Sequence, residues 1–257
     1  MLKGQLNKIH LKEQALQKAA LKQNTNKLKK CIKNKIPVRV YNGLELAFEK
    51  AFYTIFDRGV KFIEKTYNAD QIVQDYSVLN RLVKINEDNA EFMNDRVKQR
   101  IFGDTLVTAV EGMGLGIFGV GLPDVLIFIS FLLRGIYEVS LSYGYKYDSF
   151  LERLFILTLI EASLTKGEKR LEADNRVDEL IKILVGINKE LKPNITIDEQ
   201  IKATADACAM DMLVMKFIQG APVVGVLGGL SNPVFYNKIM RYVQLKYYKR
   251  FLLTQMR

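Results

Sequence analysis

The stretch Glu111–Arg134 reads EGMGLGIFGVGLPDVLIFISFLLR, and a second, Gln219–Tyr236, reads QGAPVVGVLGGLSNPVFY. Both are glycine-rich and apolar, and each runs into a tyrosine-rich pattern of helical period. Glycine removes the side chains that hold helix backbones apart. The GxxxG spacings Gly112/Gly116 and Gly225/Gly229 therefore permit close helix contact, inside a protein or inside lipid.

Met113–Leu133 is 21 residues long with Asp124 as its one ionisable group, which approaches the roughly 20 apolar residues of a helical span. However, Gly121-Leu122-Pro123-Asp124 falls within it, and a carboxylate at the bilayer centre costs about 3 kcal/mol. The expected geometry is a hairpin, with a glycine-rich limb, a turn at Gly121–Asp124, and a helix from near Asp124 through Tyr143. Asp124 then sits at a helix N-terminus, where negative charge is favourable. Met212–Leu230 contains Lys216 and Gln219 and is weaker as a span. Hairpins buried in protein are expected, with insertion into lipid as the alternative.

Outside these stretches, apolar residues recur at i, i+3, i+4 and i+7, and no alternating strand-like run stands out. The fold class is therefore all-α, a single multi-helix bundle domain with two glycine-rich apolar helical hairpins and a basic N-terminal amphipathic arm. Asn42, Asn68, Ser149 and Thr196 each stand three residues before Glu or Gln, the pattern of a helix N-cap. Asn232-Pro233 opens a last helix to about Leu253, and Lys192-Pro-Asn194 separates a helix ending near Leu191 from one beginning near Thr196. Leu2, Leu6, Ile9, Leu16 and Ala20 line one face of the arm, which occupies residues 1–39. The helical domain is expected over 40–257.

The chain has 257 residues, enough for a core that needs no disulfides. Charge is distributed unevenly. Residues 1–39 carry eleven Lys and Arg against Glu13 alone, a net +10 that equals the net charge of the whole chain. Beyond Asp211 there is no acid and seven cations, so residues 40–211 carry −7. Both termini are basic. Cys31 and Cys208 form no CxxC, which suits a reducing compartment. The opening MLKGQLNKIHLKEQALQ has no continuous apolar run, so no secretory signal peptide is expected.

His10 is the only histidine, so neither a His-based triad nor a multi-histidine metal site is available. Gly114-Leu-Gly116-Ile-Phe-Gly119 fits GxGxxG but lacks the preceding strand that a nucleotide fingerprint needs. No cofactor is expected. Arg134 and Glu138 are four apart and should form an ion pair on one helix face. The segment Tyr236–Phe251 interleaves aromatic and basic residues. That pattern fits a core helix with a basic face, a membrane-interface helix or a nucleic-acid surface.

At these residues the chain resembles the EcsC family, bacterial proteins named after a gene neighbouring an ABC transporter. The resemblance rests on Gly119-Val-Gly121-Leu-Pro-Asp124, on Leu133-Arg-Gly-Ile-Tyr-Glu-Val-Ser-Leu-Ser-Tyr-Gly-Tyr145 leading into Glu152-Arg-Leu-Phe-Ile-Leu157, and on Gly220-Ala-Pro-Val-Val-Gly225 followed by Asn232 and a basic aromatic helix. It covers about Phe102–Leu253 and implies a helical, cytoplasm-facing protein without an established biochemical activity.

The expected function is a non-enzymatic, membrane-associated accessory protein, peripheral to the inner face of the cell membrane. Its partners would be anionic lipid or a membrane protein such as an ABC transporter. Gly116, Gly121, Pro123, Asp124, Arg134, Tyr137, Glu138, Tyr145, Gly220, Pro222, Gly225 and Asn232 are the candidate motif or partner contacts. Lys29, Lys30, Lys33, Arg241, Lys246, Lys249 and Arg250 are the candidate membrane contacts. The alternatives are a carboxylate- or metal-dependent enzyme built on Asp124, Glu138 and Asp148, and a nucleic-acid binder using the basic ends. Replacing Gly116 or Gly225 with Leu should overpack a helix contact and cost about 1–3 kcal/mol; an unchanged melting temperature and solubility would count against close packing there.

Overall fold

The computed structural model describes residues 2–22, 36–103, 123–188, 190, 193–218 and 233–257. Regular structure among these residues is helical throughout, so the chain is all-α. In order, the elements are α1 (Leu2–Lys22), α2 (Val38–Thr54), a π-helical turn (Ile55–Gly59), α3 (Val60–Glu64), α4 (Ala69–Ile85), α5 (Asn89–Phe102) and α6 (Pro123–Ser142). They continue with α7 (Phe150–Leu164), α8 (Glu168–Leu184), α9 (Ile197–Ile218) and α10 (Pro233–Gln255).

Two helices organise the packing. From Leu154 to Leu164 every residue of α7 is buried, because α8, α9 and α10 surround it. A helix that is apolar on all sides can lie only inside a protein or a membrane. The other organiser, α6, touches α2, α3, α4, α5 and α10. Thus α10 is shared between the two groups, and α2 against α9 closes them further. Val125–Ser142 has a mean hydropathy of 1.7 and the length of a span, yet 72% of it is buried against the rest of the protein.

The helix expected to begin near Asp124 starts with Pro123 at its first position, where a missing N–H costs nothing; the glycine-rich limb and the Gly121–Leu122 half of the expected turn lie outside the described residues. Three of the expected caps form. The Asn68 and Ser149 side chains accept from the amides of Gln71 and Glu152. Thr196 and Glu199 form the reciprocal box, with bonds of 2.9 and 3.2 Å. The fourth does not: Asn42 lies exposed within α2, which begins four residues earlier at Val38. Pro37, extended at ψ 132°, starts it by offering its carbonyl to the amide of Val40 at 2.9 Å.

The helix expected to end near Leu191 stops at Leu184, because Gly186 at φ +74° reverses the chain. The amide of Ile187 then bonds the Lys182 carbonyl at 2.8 Å, a Schellman closure. Gly144 at φ +81° ends α6 in the same way, with the Tyr145 amide on the Ser140 carbonyl at 2.9 Å.

The N-terminal segment is also corrected. The apolar stripe of α1 faces α10 and α8, with Leu2 and Ile9 in the main core. The Leu2 amide donates to Glu87 at 3.1 Å, and Lys8 pairs with Glu91 at 3.2 Å. Residues 2–22 are therefore a layer of the bundle and not an appended arm. The interruption expected at Asn24–Asn26 lies outside the described residues, as do both GxxxG pairs.

Among the described glycines, a Cβ would be too close at three, at Gly103 against the Gln99 carbonyl and at two sites where helices meet. A Cβ on Gly135 would overlap the Tyr236 hydroxyl where α6 meets α10, and one on Gly144 would strike the Tyr76 ring. Gly43 has nothing within 4 Å of its Cβ position. Gly144→Ala should lower stability by about 2–3 kcal/mol through strain and overlap, whereas Gly43→Ala, within α2, should raise it by about 0.5–1 kcal/mol. Denaturant titration of the two variants checks the opposite signs.

Candidate functional site

Of the expected motif residues, Arg134 and Glu138 meet as predicted. The Arg134 Nε donates to Glu138 Oε1 at 2.9 Å, with both side chains nearly buried. One turn along, Tyr137 stacks on Tyr147 with ring centroids 4.0 Å apart. Tyr147 in turn donates to Glu64 at 2.9 Å, and its oxygen lies 2.8 Å from that of Tyr67. Tyr145 belongs to a different cluster, its ring lying under the Arg250 guanidinium at 3.6 Å. Burial pushes the Tyr67 and Tyr145 phenols up to about 12, so both remain hydrogen-bond donors at neutral pH. Gly116, Gly121, Gly220, Pro222, Gly225 and Asn232 lie outside the described residues, as do Lys29, Lys30 and Lys33. Pro123 and Asp124 form the first turn of α6.

The basic face expected on the last helix is largely internal. Lys246, Lys249 and Arg250 are buried and do not present themselves to a membrane; Arg241 is exposed. Buried cations need partners, because an unpaired charge in the interior is too costly to keep. Acids from three other helices provide them. Arg250 bonds both carboxylate oxygens of Glu152 on α7 at 2.7 and 2.8 Å, and Tyr247 donates to the same carboxylate at 2.6 Å. Lys246 and Lys249 share Glu13 of α1 and Asp178 of α8. Burial alone would raise the Asp178 carboxyl, but the two ammonium groups hold it below the ordinary carboxylate range. Further along, Arg170 pairs with Asp174 at 3.0 Å and covers the Tyr242 ring, and Lys238 bonds both oxygens of Asp211 at 2.8 Å.

Glu152 was legible as a helix-start residue only. Its amide does complete the Ser149 cap, but its carboxylate turns into the core instead of reaching back to Ser149. The available signal was a lone acid inside the apolar run FLERLFILTLI together with an acid-free basic helix elsewhere in the chain.

The carboxylates nominated for an enzyme do not form a described cluster. Glu138 is held by Arg134, and Asp148 is exposed. Among the described residues, no group of three or more His, Cys, Asp or Glu could hold a metal ion.

An open groove lies between α4 and α5, with a cavity of about 560 Å³. Phe92, Leu82 and Val78 line it toward the α4–α5 turn, and Asp75, Arg96 and Arg100 line it toward the other end. Arg100 pairs with Asp75 across this far end. Ser142, the last residue of α6, also lines it. Its hydroxyl is buried and has no hydrogen-bond partner. Sequence periodicity missed this groove because α4 reads as an ordinary amphipathic helix.

The EcsC protein family model matches residues 3–252. The chain belongs to the EcsC family. The match runs from α1 to α10, so both the segment read as an arm and the basic aromatic helix lie within the family's extent, and the ion-pair network joins its two ends. No curated protein and no solved structure matches this EcsC chain.

Removing the Glu152 carboxylate leaves Arg250 buried and unpaired, a change that typically costs about 3–5 kcal/mol. Glu152→Ala should therefore unfold at markedly lower denaturant concentration, and Glu152→Ala combined with Arg250→Met should recover much of the loss. Failure of the double variant to recover would place the cost in packing around α7.

Proposed function

We propose that this chain is a non-enzymatic, membrane-peripheral accessory protein, held by electrostatic attraction to the inner face of the cell membrane or to a membrane partner such as a transporter. The orientation of α1 carries this reading. Because α1 turns Leu2 and Ile9 into the core beneath α10 and α8, Lys3, Lys12 and Lys18 are left exposed to solvent. A lysine beside an anionic leaflet contributes about 1 kcal/mol, and several acting together give reversible attachment. The exposed Arg241 on α10 is a further cation, whereas Lys246, Lys249 and Arg250 contribute nothing to such a surface.

The internal chemistry supports an accessory role in preference to catalysis. Two carboxylates of the apolar motifs, Glu138 and Glu152, are each held by an arginine. Beside Glu152, Tyr247 donates to the carboxylate within the core, and burial keeps Tyr145 protonated.

Attachment of this kind weakens with salt, since exposed charges are screened within about 10 Å at 0.1 M. The full chain should sediment with vesicles containing phosphatidylglycerol, fail to do so with phosphatidylcholine alone, and be released by high salt. Combined Lys3→Ala, Lys12→Ala and Lys18→Ala substitution should weaken binding by about 100-fold. Equal binding to neutral vesicles, no loss in the triple variant, or preferential displacement by RNA would overturn the reading.

A further inference from the structure

The groove between α4 and α5 combines three properties that nothing in the packing of the bundle requires together. Its end near the turn is apolar and open: Val78 and Phe92 are 60% and 52% exposed, although both are large hydrophobic residues. Its far end is cationic, because Arg96 and Arg100 face the single carboxylate of Asp75. Its lining includes Ser142, a residue only 5% exposed whose enclosed hydroxyl has no hydrogen-bond partner in the protein. Leaving a buried hydroxyl without a partner is costly, so an orphan beside an open cavity calls for an acceptor from outside the protein.

The helices set the direction of this gradient. Since α4 and α5 are consecutive and joined by a tight turn, Leu82 and Phe92 lie near that turn. The Asp75–Arg100 pair closes the other end. Ile72 to Leu82 spans ten residues of α4, or about 15 Å at 1.5 Å per residue. The cavity volume of about 560 Å³ is within the ~300–1,000 Å³ of small-molecule sites.

We infer that this groove binds a single-chain fatty carboxylate, its hydrocarbon along Val78, Leu82 and Phe92 and its carboxylate at Arg96 and the Ser142 hydroxyl. The charge at the polar end decides between anions. Among the described residues of the lining, two guanidiniums and one carboxylate leave a single positive charge, which matches a monoanion, and Asp75 disfavours an anion of higher charge. Arg96 is available for this role: it is exposed, and it bonds the side-chain oxygen of Gln99 at 3.3 Å. Arg100 is committed to Asp75 and positions the end of the groove. Ser142 supplies a donor that no protein group uses.

The site is independent of membrane attachment, so it can be tested without vesicles. Dodecanoate, kept below its micelle-forming concentration, is titrated calorimetrically into the full chain. Saturable one-to-one binding is expected. Arg96→Gln should weaken it about tenfold, the scale of one hydrogen bond to a charged group. Val78→Glu, at an exposed position, should weaken it by about tenfold or more by placing a charge beside the hydrocarbon. Ser142→Ala should weaken it about threefold with the melting temperature unchanged or raised, because no native hydrogen bond is lost. Dodecanol should bind more weakly than dodecanoate. Absence of saturable binding, or binding indifferent to both Arg96→Gln and Val78→Glu, would overturn the site. Tighter binding of a lysophosphatidylglycerol of equal chain length would overturn the assignment to a free carboxylate.

Discussion

A carboxylate enclosed on every side needs a cation, and Glu152 occupies that position in the most enclosed helix of the protein. Arg250 answers it with two hydrogen bonds and Tyr247 with a third. This contact fixes both the rotation and the height of α10 over α7. Given that rotation, Lys246 and Lys249 fall between Glu13 and Asp178, and the same helix brings Tyr236 against Gly135 on α6. Buried ion pairs return little net stability once desolvation is counted. Their strength lies in register, since a turn of α10 in either direction would strand several charges at once.

How much of this was legible follows from what each signal measures. Local rules succeeded where the deciding atoms are neighbours in sequence: the caps at Asn68 and Thr196, the Pro123 helix start, and the Arg134–Glu138 pair. They failed where a distant residue competed. Asn42 has the cap pattern, but Pro37 had already started the helix. Glu152 has the capping-box spacing, but Arg250, 98 positions away, takes its carboxylate. The arm was misjudged for a related reason, because an amphipathic stripe declares that it will be covered without naming what covers it.

The charge asymmetry was the nearest thing to a long-range signal. An acid-free stretch with seven cations and a middle section of −7 are complementary, and the structure joins them at Glu152, Asp178 and Asp211. Read as overall charge, the imbalance suggests a basic surface; read as complementarity, it suggests an interior partner. The groove between α4 and α5 left no comparable trace. Whether Val78, Leu82 and Phe92 cover a core or remain open depends on how many helices surround α4, which periodicity does not encode.

The bond between Lys249 and Glu13 links residues 236 positions apart, and it places a constraint on the order in which this chain can become native. Until α10 has been made, Glu13, Glu152 and Asp178 lack their counter-charges, although the helices that bear them are complete. Contacts of such sequence separation are slow to form, because chain entropy is lost before they contribute. The native interior is therefore sealed from the C-terminal side, and the nascent protein reaches that point as a set of helices whose acids remain in water.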